Sequence, residues 1–304
     1  MVKPAISLSG VFPPITTPFD SGSDVAYDAL AANLERWNAY DLAGYVVLGS
    51  NGEASYLTGE EKERVLEVCR QAIPSDKLLI AGTGCESTRA TIALTRLAAQ
   101  AGADAALVVT PHYYGPRMTP DALVRHYHQV ADASPIPIIL YNVPKATHLD
   151  MEAATIARGA QHPNVLGVKE SSGNVVKLAD IVRLCGPDFQ VLAGTAGFFF
   201  PSLAVGAVGG VLALANIAPQ QCIDLHRLHQ AGRWAEAADL QRRMIPVNAA
   251  VTARYDIAGL KAALDMLGYY GGPVRSPLLD LATAEREALR TILVDAQILL
   301  PSPS

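Results

Sequence analysis

Short apolar runs alternate along the chain with longer segments in which apolar residues recur every three to four positions. A run without polar alternation is typical of a parallel strand covered on both faces, whereas the longer period is typical of an amphipathic helix. The runs predict strands at residues 10–17, 44–49, 78–82, 105–110, 136–141, 165–168, 190–193 and 209–212. The segments between them predict helices at residues 25–40, 59–72, 87–101, 120–133, 151–161, 175–184 and 196–205.

This alternation predicts an α/β fold, a (β/α)8 TIM barrel formed by residues 1–215. Residues 216–304 are predicted to form a C-terminal helical extension packed on the barrel, with helices at 219–231, 234–253, 257–267 and 283–294. The closing Pro-Ser-Pro-Ser is expected to be frayed. Right-handed crossovers bring the carboxyl end of every strand to one face of such a barrel, so we expect the chemistry there.

Composition and charge limit the kinds of molecule that the protein is expected to bind. The 304 residues are 50% apolar and only 17% charged, which excludes a disordered chain. A net charge of −5 without a cluster of Lys or Arg argues against a nucleic-acid partner. Small-molecule chemistry is therefore the expectation.

The cysteines and the N-terminus favour a cytoplasmic protein. Cys69, Cys85, Cys185 and Cys222 are scattered without a Cys-x-x-Cys pair, which is typical of reduced thiols inside a cell. Met1-Val-Lys-Pro leads into a strand-like run without a signal core or presequence. No apolar segment is long enough to span a bilayer, so no membrane partner is expected.

Lys169 is the candidate nucleophile. It follows the buried run 165–168 and precedes a Ser-Ser-Gly turn, which is where barrels place their reactive groups. Partial desolvation favours the neutral amine that attacks a carbonyl carbon. The alternative is a lysine that snorkels out of the end of its strand.

Two further stretches stand at predicted strand ends. Tyr141 ends the strand before that of Lys169, so the phenol and the amine should be neighbours, and a phenol there can relay protons. Ser50 and Asn51, between two glycines, predict a tight turn whose N–H groups and hydroxyl can hold a carboxylate. The alternatives are a packed tyrosine and an ordinary loop.

Tyr113 and Tyr114 form an aromatic pair on a loop that Pro111 stiffens, which is typical of a contact surface. His126 and His128 are two residues apart on a predicted helix and so point in different directions. We therefore expect no metal site.

Three motifs together resemble the dihydrodipicolinate synthase / N-acetylneuraminate lyase family of Schiff-base aldolases. They are Gly49-Ser-Asn-Gly-Glu53, Tyr141-Asn-Val-Pro144 and Gly167-Val-Lys169-Glu-Ser171, on predicted strands 2, 5 and 6, within a resemblance that covers residues 10–295. The resemblance implies that Lys169 forms the imine with a 2-oxo acid, Tyr141 relays protons with Ser50, and Ser50 and Asn51 bind the carboxylate. It also implies that Ser171 and Gly194 line the pocket, and that Tyr113 enters a neighbouring subunit's site in a homotetramer. No cofactor is implied.

The resemblance extends to one branch of the family, the aldolases that cleave 4-hydroxy-2-oxoglutarate to pyruvate and glyoxylate. The stretches that carry it are 82–88, 102–106, 192–194, 248–252 and 268–273. Dihydrodipicolinate synthases have an arginine two residues after the Tyr-Asn-Val-Pro motif, and this chain has Ala146 there, after Lys145. Cleavage of 4-hydroxy-2-oxoglutarate is therefore expected. The alternatives are a dihydrodipicolinate synthase or a deoxy-sugar-acid aldolase, and a barrel that binds 2-oxo acids without catalysis.

Overall fold

A computed structural model describes residues 6–300 of the chain. Eight strands and twelve α-helices lie in this range. The strands are β1 (Gly10–Phe12), β2 (Gly44–Val47), β3 (Leu78–Gly82), β4 (Ala105–Val109), β5 (Ile138–Asn142), β6 (Val165–Glu170), β7 (Gln190–Ala193) and β8 (Gly209–Val211). The helices are α1 (Tyr27–Asn38), α2 (Gly59–Ala72), α3 (Thr88–Gln100), α4 (Pro120–Ala133), α5 (Pro144–Thr147), α6 (Ala153–Gly159), α7 (Val175–Cys185), α8 (Phe199–Ala204), α9 (Pro219–Gln230), α10 (Trp234–Ala249), α11 (Asp256–Met266) and α12 (Thr283–Asp295).

The strands form a closed parallel barrel. Their order in the sheet is β1-β8-β7-β6-β5-β4-β3-β2, and every neighbouring pair is parallel. Backbone N–H groups of Ala43 and Val46 donate to the carbonyls of Val11 and Pro13 at 3.1 and 3.0 Å, which closes the seam between β1 and β2. The predicted (β/α)8 barrel is confirmed, and all strands end at one mouth.

Apolar side chains fill the barrel from one side of each strand. The inner cluster contains Leu8, Phe12, Val46, Ile80, Ala105, Leu107, Ile139, Tyr141, Leu192 and Val211. Alternate residues such as Leu140 and Val168 belong to the second cluster, between the strands and the helices. Because side chains alternate along a strand, Tyr141 points inward and its neighbours in sequence point toward the helices.

Several strand ends differ from the predictions for physical reasons. The run 10–17 is a strand only as far as Phe12, because Pro13 and Pro14 have no N–H to donate to a ladder. The run 165–168 continues to Glu170, since the ladder with β5 and β7 includes two more residues. Lys169 therefore lies within β6 and not after it.

The C-terminal helices pack on the barrel. α9 follows β8 and contacts β1 and α8, and α10 contacts α8 and α9. The predicted helix 234–253 changes into a π-helical turn, Ala250–Arg254, four residues after Pro246. The division at residues 215 and 216 stays a prediction, and the tail 301–304 lies outside the described residues.

The described residues can be compared with three other expectations, which concern the cysteines, membrane spans and metal sites. All four cysteines are free, with Cys69 and Cys222 buried. Within residues 6–300, no helix is long and apolar enough to cross a membrane. The same residues contain no group of three or more His, Cys, Asp or Glu placed to hold a metal ion.

His126 is buried between α4 and α3. Its Nδ1 lies 2.9 Å from the Thr88 hydroxyl, and its Nε2 has no hydrogen-bond partner in the described structure. Burial lowers the pKa of His126 from 6.5 to about 4.

We expect this histidine to make folding sensitive to acid. Its pKa is lower in the folded chain than in the unfolded chain, so the unfolded chain binds more protons between pH 6.5 and 4, and the free energy of unfolding falls as the pH drops through that range. The loss due to His126 should be about 2 kcal/mol at pH 5. Urea unfolding of the wild type and His126→Gln at pH 7 and pH 5 measures it. Equal losses in both proteins would show that His126 does not contribute.

Candidate active site

Tyr141 and Lys169 lie side by side at the mouth of the barrel. Their Cα atoms are register partners on β5 and β6. Lys169 is 3% exposed and Tyr141 6%, and the lysine Nζ lies 3.9 Å from the centre of the phenol ring. The two predicted site residues that matter most for proton transfer and nucleophilic attack are thus brought into contact.

The Lys169 amine has no anionic partner within the described chain. Lys261, the other fully buried lysine, forms an ion pair with Glu53 at 2.6 Å. A buried lysine that has an ion-pair partner is normally structural, whereas one without a partner can react. Of these two buried lysines, Lys169 is the one without an anionic partner in the described chain.

A polar network fixes the two strand ends from behind. The Asn142 amide donates to Asp150 at 2.8 Å and to Glu170 at 2.9 Å. The Lys177 ammonium contacts Asp150 and lies 3.3 Å from Glu170. Since Asn142 follows Tyr141 and Glu170 follows Lys169, this network holds β5 and β6 in the register on which the site depends. This network was not predicted from the sequence. The polar residues that directly follow Tyr141 and Lys169 in the sequence could have indicated it.

The turn of Ser50, Asn51 and Gly52 follows β2. Leu48 and Glu53, on either side of it, have left-handed φ angles of +57° and +51°. Within residues 6–300, the N–H groups of Ser50 and Asn51 donate to no acceptor. Two unused N–H groups beside a serine hydroxyl suit an anion such as a carboxylate, and the carboxylate-binding role of this turn stays a prediction.

Ser171 and Gly194 face each other across the ends of β6 and β7. The Gly194 N–H donates to the Glu170 carbonyl at 2.7 Å. A Cβ on Gly194 would lie 1.8 Å from the Ser171 Oγ, so only glycine fits there. The Ser171 Oγ is buried and has no partner in the described structure, and neither Ser171 nor Gly194 lines the cavity that opens at this mouth.

A cavity of about 450 Å³ opens at this mouth. Ser50 and Tyr141 line it, together with Thr110, Ala146 and Ile257. Lys169 is not part of the wall, but its amine lies against the Tyr141 ring that is. The Thr110 Oγ1 is buried without a partner, a polar atom that sequence reasoning did not identify.

Tyr113 lies outside the cavity of its own chain. It is 77% exposed and packs edge to face on Tyr114, with ring centres 5.0 Å apart. The Glu86 carboxylate accepts from the N–H groups of His112 and Tyr113 at 2.9 and 2.8 Å, which fixes the loop. The structure therefore presents Tyr113 outward and does not bring it to Lys169 of the same chain.

The sequence profile of the Dihydrodipicolinate synthetase family matches residues 7–296. The chain belongs to this family. It is 36% identical over 285 residues to 4-hydroxy-tetrahydrodipicolinate synthase of Methanothrix thermoacetophila, a match that covers 93% of this chain and 95% of that relative. The synthase of Methanoculleus marisnigri is 35% identical, with coverages of 94% and 98%. The structure of dihydrodipicolinate synthase from Acinetobacter baumannii, complexed with pyruvate, superposes with a TM-score of 0.92 at 32% identity and covers 96% of this chain and 100% of that one.

These comparisons confirm the family and correct the branch. They show a pyruvate-dependent class I lyase, as predicted. The predicted cleavage of 4-hydroxy-2-oxoglutarate to pyruvate and glyoxylate is wrong, because near-full-length relatives at 34–36% identity are named 4-hydroxy-tetrahydrodipicolinate synthases.

The site favours lysine chemistry over thiol chemistry. Cys85 also lines the cavity, but burial raises the pKa of its thiol, which keeps it protonated and weakly nucleophilic. The amine of Lys169 can attack a carbonyl carbon, and the resulting protonated imine withdraws electrons without a metal or cofactor. Tyr141 borders the same space, with the Lys169 Nζ 3.9 Å from the centre of its ring, and a phenol can relay protons.

We expect the imine on Lys169. Borohydride reduction in the presence of pyruvate should add the reduced pyruvoyl mass to the peptide that contains Lys169, and Lys169→Ala should abolish trapping. Lys169→Arg should be inactive too, since a guanidinium stays protonated and cannot attack. Peptide mass spectrometry gives the site. The control is the peptide with Lys261, which is equally buried but ion-paired, and a label there would contradict the assignment.

Proposed function

We propose that the chain is a 4-hydroxy-tetrahydrodipicolinate synthase, which condenses pyruvate with L-aspartate 4-semialdehyde. The contact between Lys169 and Tyr141 beside the cavity carries the proposal, and the names of the near-full-length relatives support the choice of product. No cofactor is needed, because the imine itself is the electron sink.

The reaction begins with pyruvate. The Lys169 amine attacks its C2 carbonyl, and Tyr141 and Ser50 relay the protons that accompany loss of water. The pyruvate carboxylate is held by the N–H groups of Ser50 and Asn51 and by the Ser50 hydroxyl. Loss of a C3 proton then gives an enamine, which attacks the aldehyde carbon. The amine carried by the semialdehyde displaces Lys169 from the imine carbon and closes the ring.

The aldehyde half is held near Ser171 and Gly194, with one departure from the synthase pattern at Ala146. Lys145 does not replace the missing arginine, because its ammonium donates to the Thr252 carbonyl at 2.7 Å and lies 3.4 Å from Asp256. Ala146 itself lines the cavity together with Ile257. The far carboxylate of the semialdehyde is therefore held without a guanidinium from this position.

Restoring that guanidinium should improve condensation. Ala146→Arg adds a charged hydrogen bond worth roughly 1.5–3 kcal/mol, so kcat/KM for the semialdehyde should rise about ten- to a hundredfold. The measurement is condensation with pyruvate, coupled to a dihydrodipicolinate reductase. Ala146→Gln is the matched control, since it adds similar length without charge.

The wild type must itself form product with the semialdehyde. If both the wild type and Ala146→Arg form the pyruvate imine but release no product with this aldehyde, the proposed synthase activity is wrong. The imine chemistry would stand, and a panel of other aldehydes would then identify the second substrate.

We further propose that the enzyme is a homotetramer in which Tyr113 enters a neighbouring subunit's site and joins its proton relay. The outward position of Tyr113, fixed by Glu86 and packed on Tyr114, supports this assignment. A rigid exposed aromatic pair is a common anchor in a symmetric interface.

Mixed subunits test the shared site. Tyr113→Phe and Lys169→Ala should each be inactive or nearly so, whereas re-associated hybrids should recover part of the activity. Recovery arises because some sites combine an intact Lys169 with a donated Tyr113. Native mass spectrometry confirms that hybrids form. Confirmed hybrids without activity would place Tyr113 in the site of its own chain or in none.

A further inference from the structure

Glu53 and Lys261 form a fully buried ion pair beside the cavity. Their side chains are 0% and 1% exposed, and the lysine Nζ lies 2.6 Å from the Glu53 Oε1. The same ammonium donates to the Pro273 carbonyl at 2.8 Å and lies 4.2 Å from the centre of the Phe19 ring. The pair joins the loop after β2 to α11 in the C-terminal part of the chain.

The second oxygen of Glu53 is also used. Oε2 accepts from the backbone N–H of Arg275 at 2.9 Å. The Arg275 guanidinium in turn donates to Glu61 at 2.7 and 2.8 Å and to the Tyr56 carbonyl at 2.9 Å. Glu53 is thus held from two sides, by α11 and by the segment that follows it.

Stability alone is a weak reason for such a pair. Two charges lose their hydration on burial, and well-packed apolar side chains of similar size are often as stable or more stable. Burial lowers the pKa of Lys261 even though Glu53 opposes that shift, which shows the cost of the buried charge. An ion pair kept under these conditions is better explained by the geometry that it imposes.

That geometry concerns the carboxylate-binding turn. Glu53 is the residue that ends the turn, its N–H donates to the Ser50 carbonyl at 3.1 Å, and its φ angle is +51°. A non-glycine residue in this conformation costs about 1–3 kcal/mol and persists only where its surroundings hold it. The Thr17 hydroxyl donates to the Gly52 carbonyl at 2.7 Å and holds the turn from the side of β1.

We infer that Lys261, acting through Glu53, is a positioning residue for the turn Ser50–Gly52 and so sets the affinity for the substrate's carboxylate. Neither side chain touches substrate in this scheme. The ammonium holds the Glu53 carboxylate, the carboxylate holds the left-handed backbone, and the backbone aims the N–H groups of Ser50 and Asn51. The inference rests on the proposed function only in assigning pyruvate to this turn.

The test measures imine formation, which needs no aldehyde. Glu53→Gln combined with Lys261→Met removes both charges and leaves neither one buried alone. We expect the pyruvate concentration that gives half-maximal borohydride trapping on Lys169 to rise at least tenfold, with the maximal trapped fraction less affected. Methyl pyruvate, which lacks the negative charge, should lose much less affinity than pyruvate.

A second variant and a control keep the test decisive. Glu53→Asp keeps the charge but shortens the side chain by one methylene, so it should weaken pyruvate binding in the same direction, and it decides the matter if the double variant does not fold. Arg70→Met with Asp104→Asn removes a partly buried ion pair of 3.4 Å before β4, at the opposite end of the barrel, and should leave pyruvate binding unchanged.

The outcomes separate the inference from the proposed function. If Glu53→Asp and a folded double variant bind pyruvate as the wild type does, the pair is only structural and the inference is wrong. If the wild type traps no pyruvate on Lys169, the proposed function is wrong, and so is the inference, because it assigns pyruvate to this turn. If the wild type traps pyruvate but makes no product with the semialdehyde, the proposed function is wrong and the inference stands.

Discussion

The site depends on the register between β5 and β6. Because Tyr141 and Lys169 are directly paired across these strands, both side chains point into the barrel and the amine meets the phenol ring at 3.9 Å. A shift of one residue would exchange the inner and outer faces and place one of them among the helices. The network around Asn142 and Glu170 stabilises this register with charges that lie outside the barrel. The strand pairing thus brings Tyr141 and Lys169 together, and the polar contacts on the outer side of the strands hold them in this register.

The three lysines of β6, α7 and α11 differ in their partners. Lys177 and Lys261 each meet carboxylates, whereas the amine of Lys169 meets the face of a phenol. Paired charges resist rearrangement and so hold backbone in place, while an amine without an anionic partner can change its bonding during a reaction. The distribution of partners therefore separates the group suited to react from the groups that position it.

The sequence was sufficient for the barrel and for placing Tyr141 and Lys169 on neighbouring strands, because buried parallel strands have a distinct apolar pattern. It was insufficient for strand ends, since proline removed the end of β1 and ladder bonds extended β6 past Lys169. It also missed the partnership of Glu53 with Lys261, which are 208 residues apart and meet only after α11 packs on the barrel. A single lysine within the apolar stretch 257–264 indicates a buried charge that needs a partner. The neighbouring sequence does not indicate which residue that partner is.

There is a structural reason why the sequence suggested the wrong branch of the family, the one that cleaves 4-hydroxy-2-oxoglutarate. The sequence stretches that resemble the 4-hydroxy-2-oxoglutarate aldolases contain glycines that are needed for backbone packing. A Cβ on Gly271 would lie 2.0 Å from the Lys261 carbonyl, and a Cβ on Gly82 would lie 2.1 Å from the Leu48 carbonyl. Glycines that permit such close approach report how the backbone is folded, and they carry no information about the aldehyde. The side chains of the cavity wall, such as Ala146 and Ile257, come instead from α5 and α11. A likeness in the scaffold glycines therefore does not determine which side chains stand at these positions of the cavity wall.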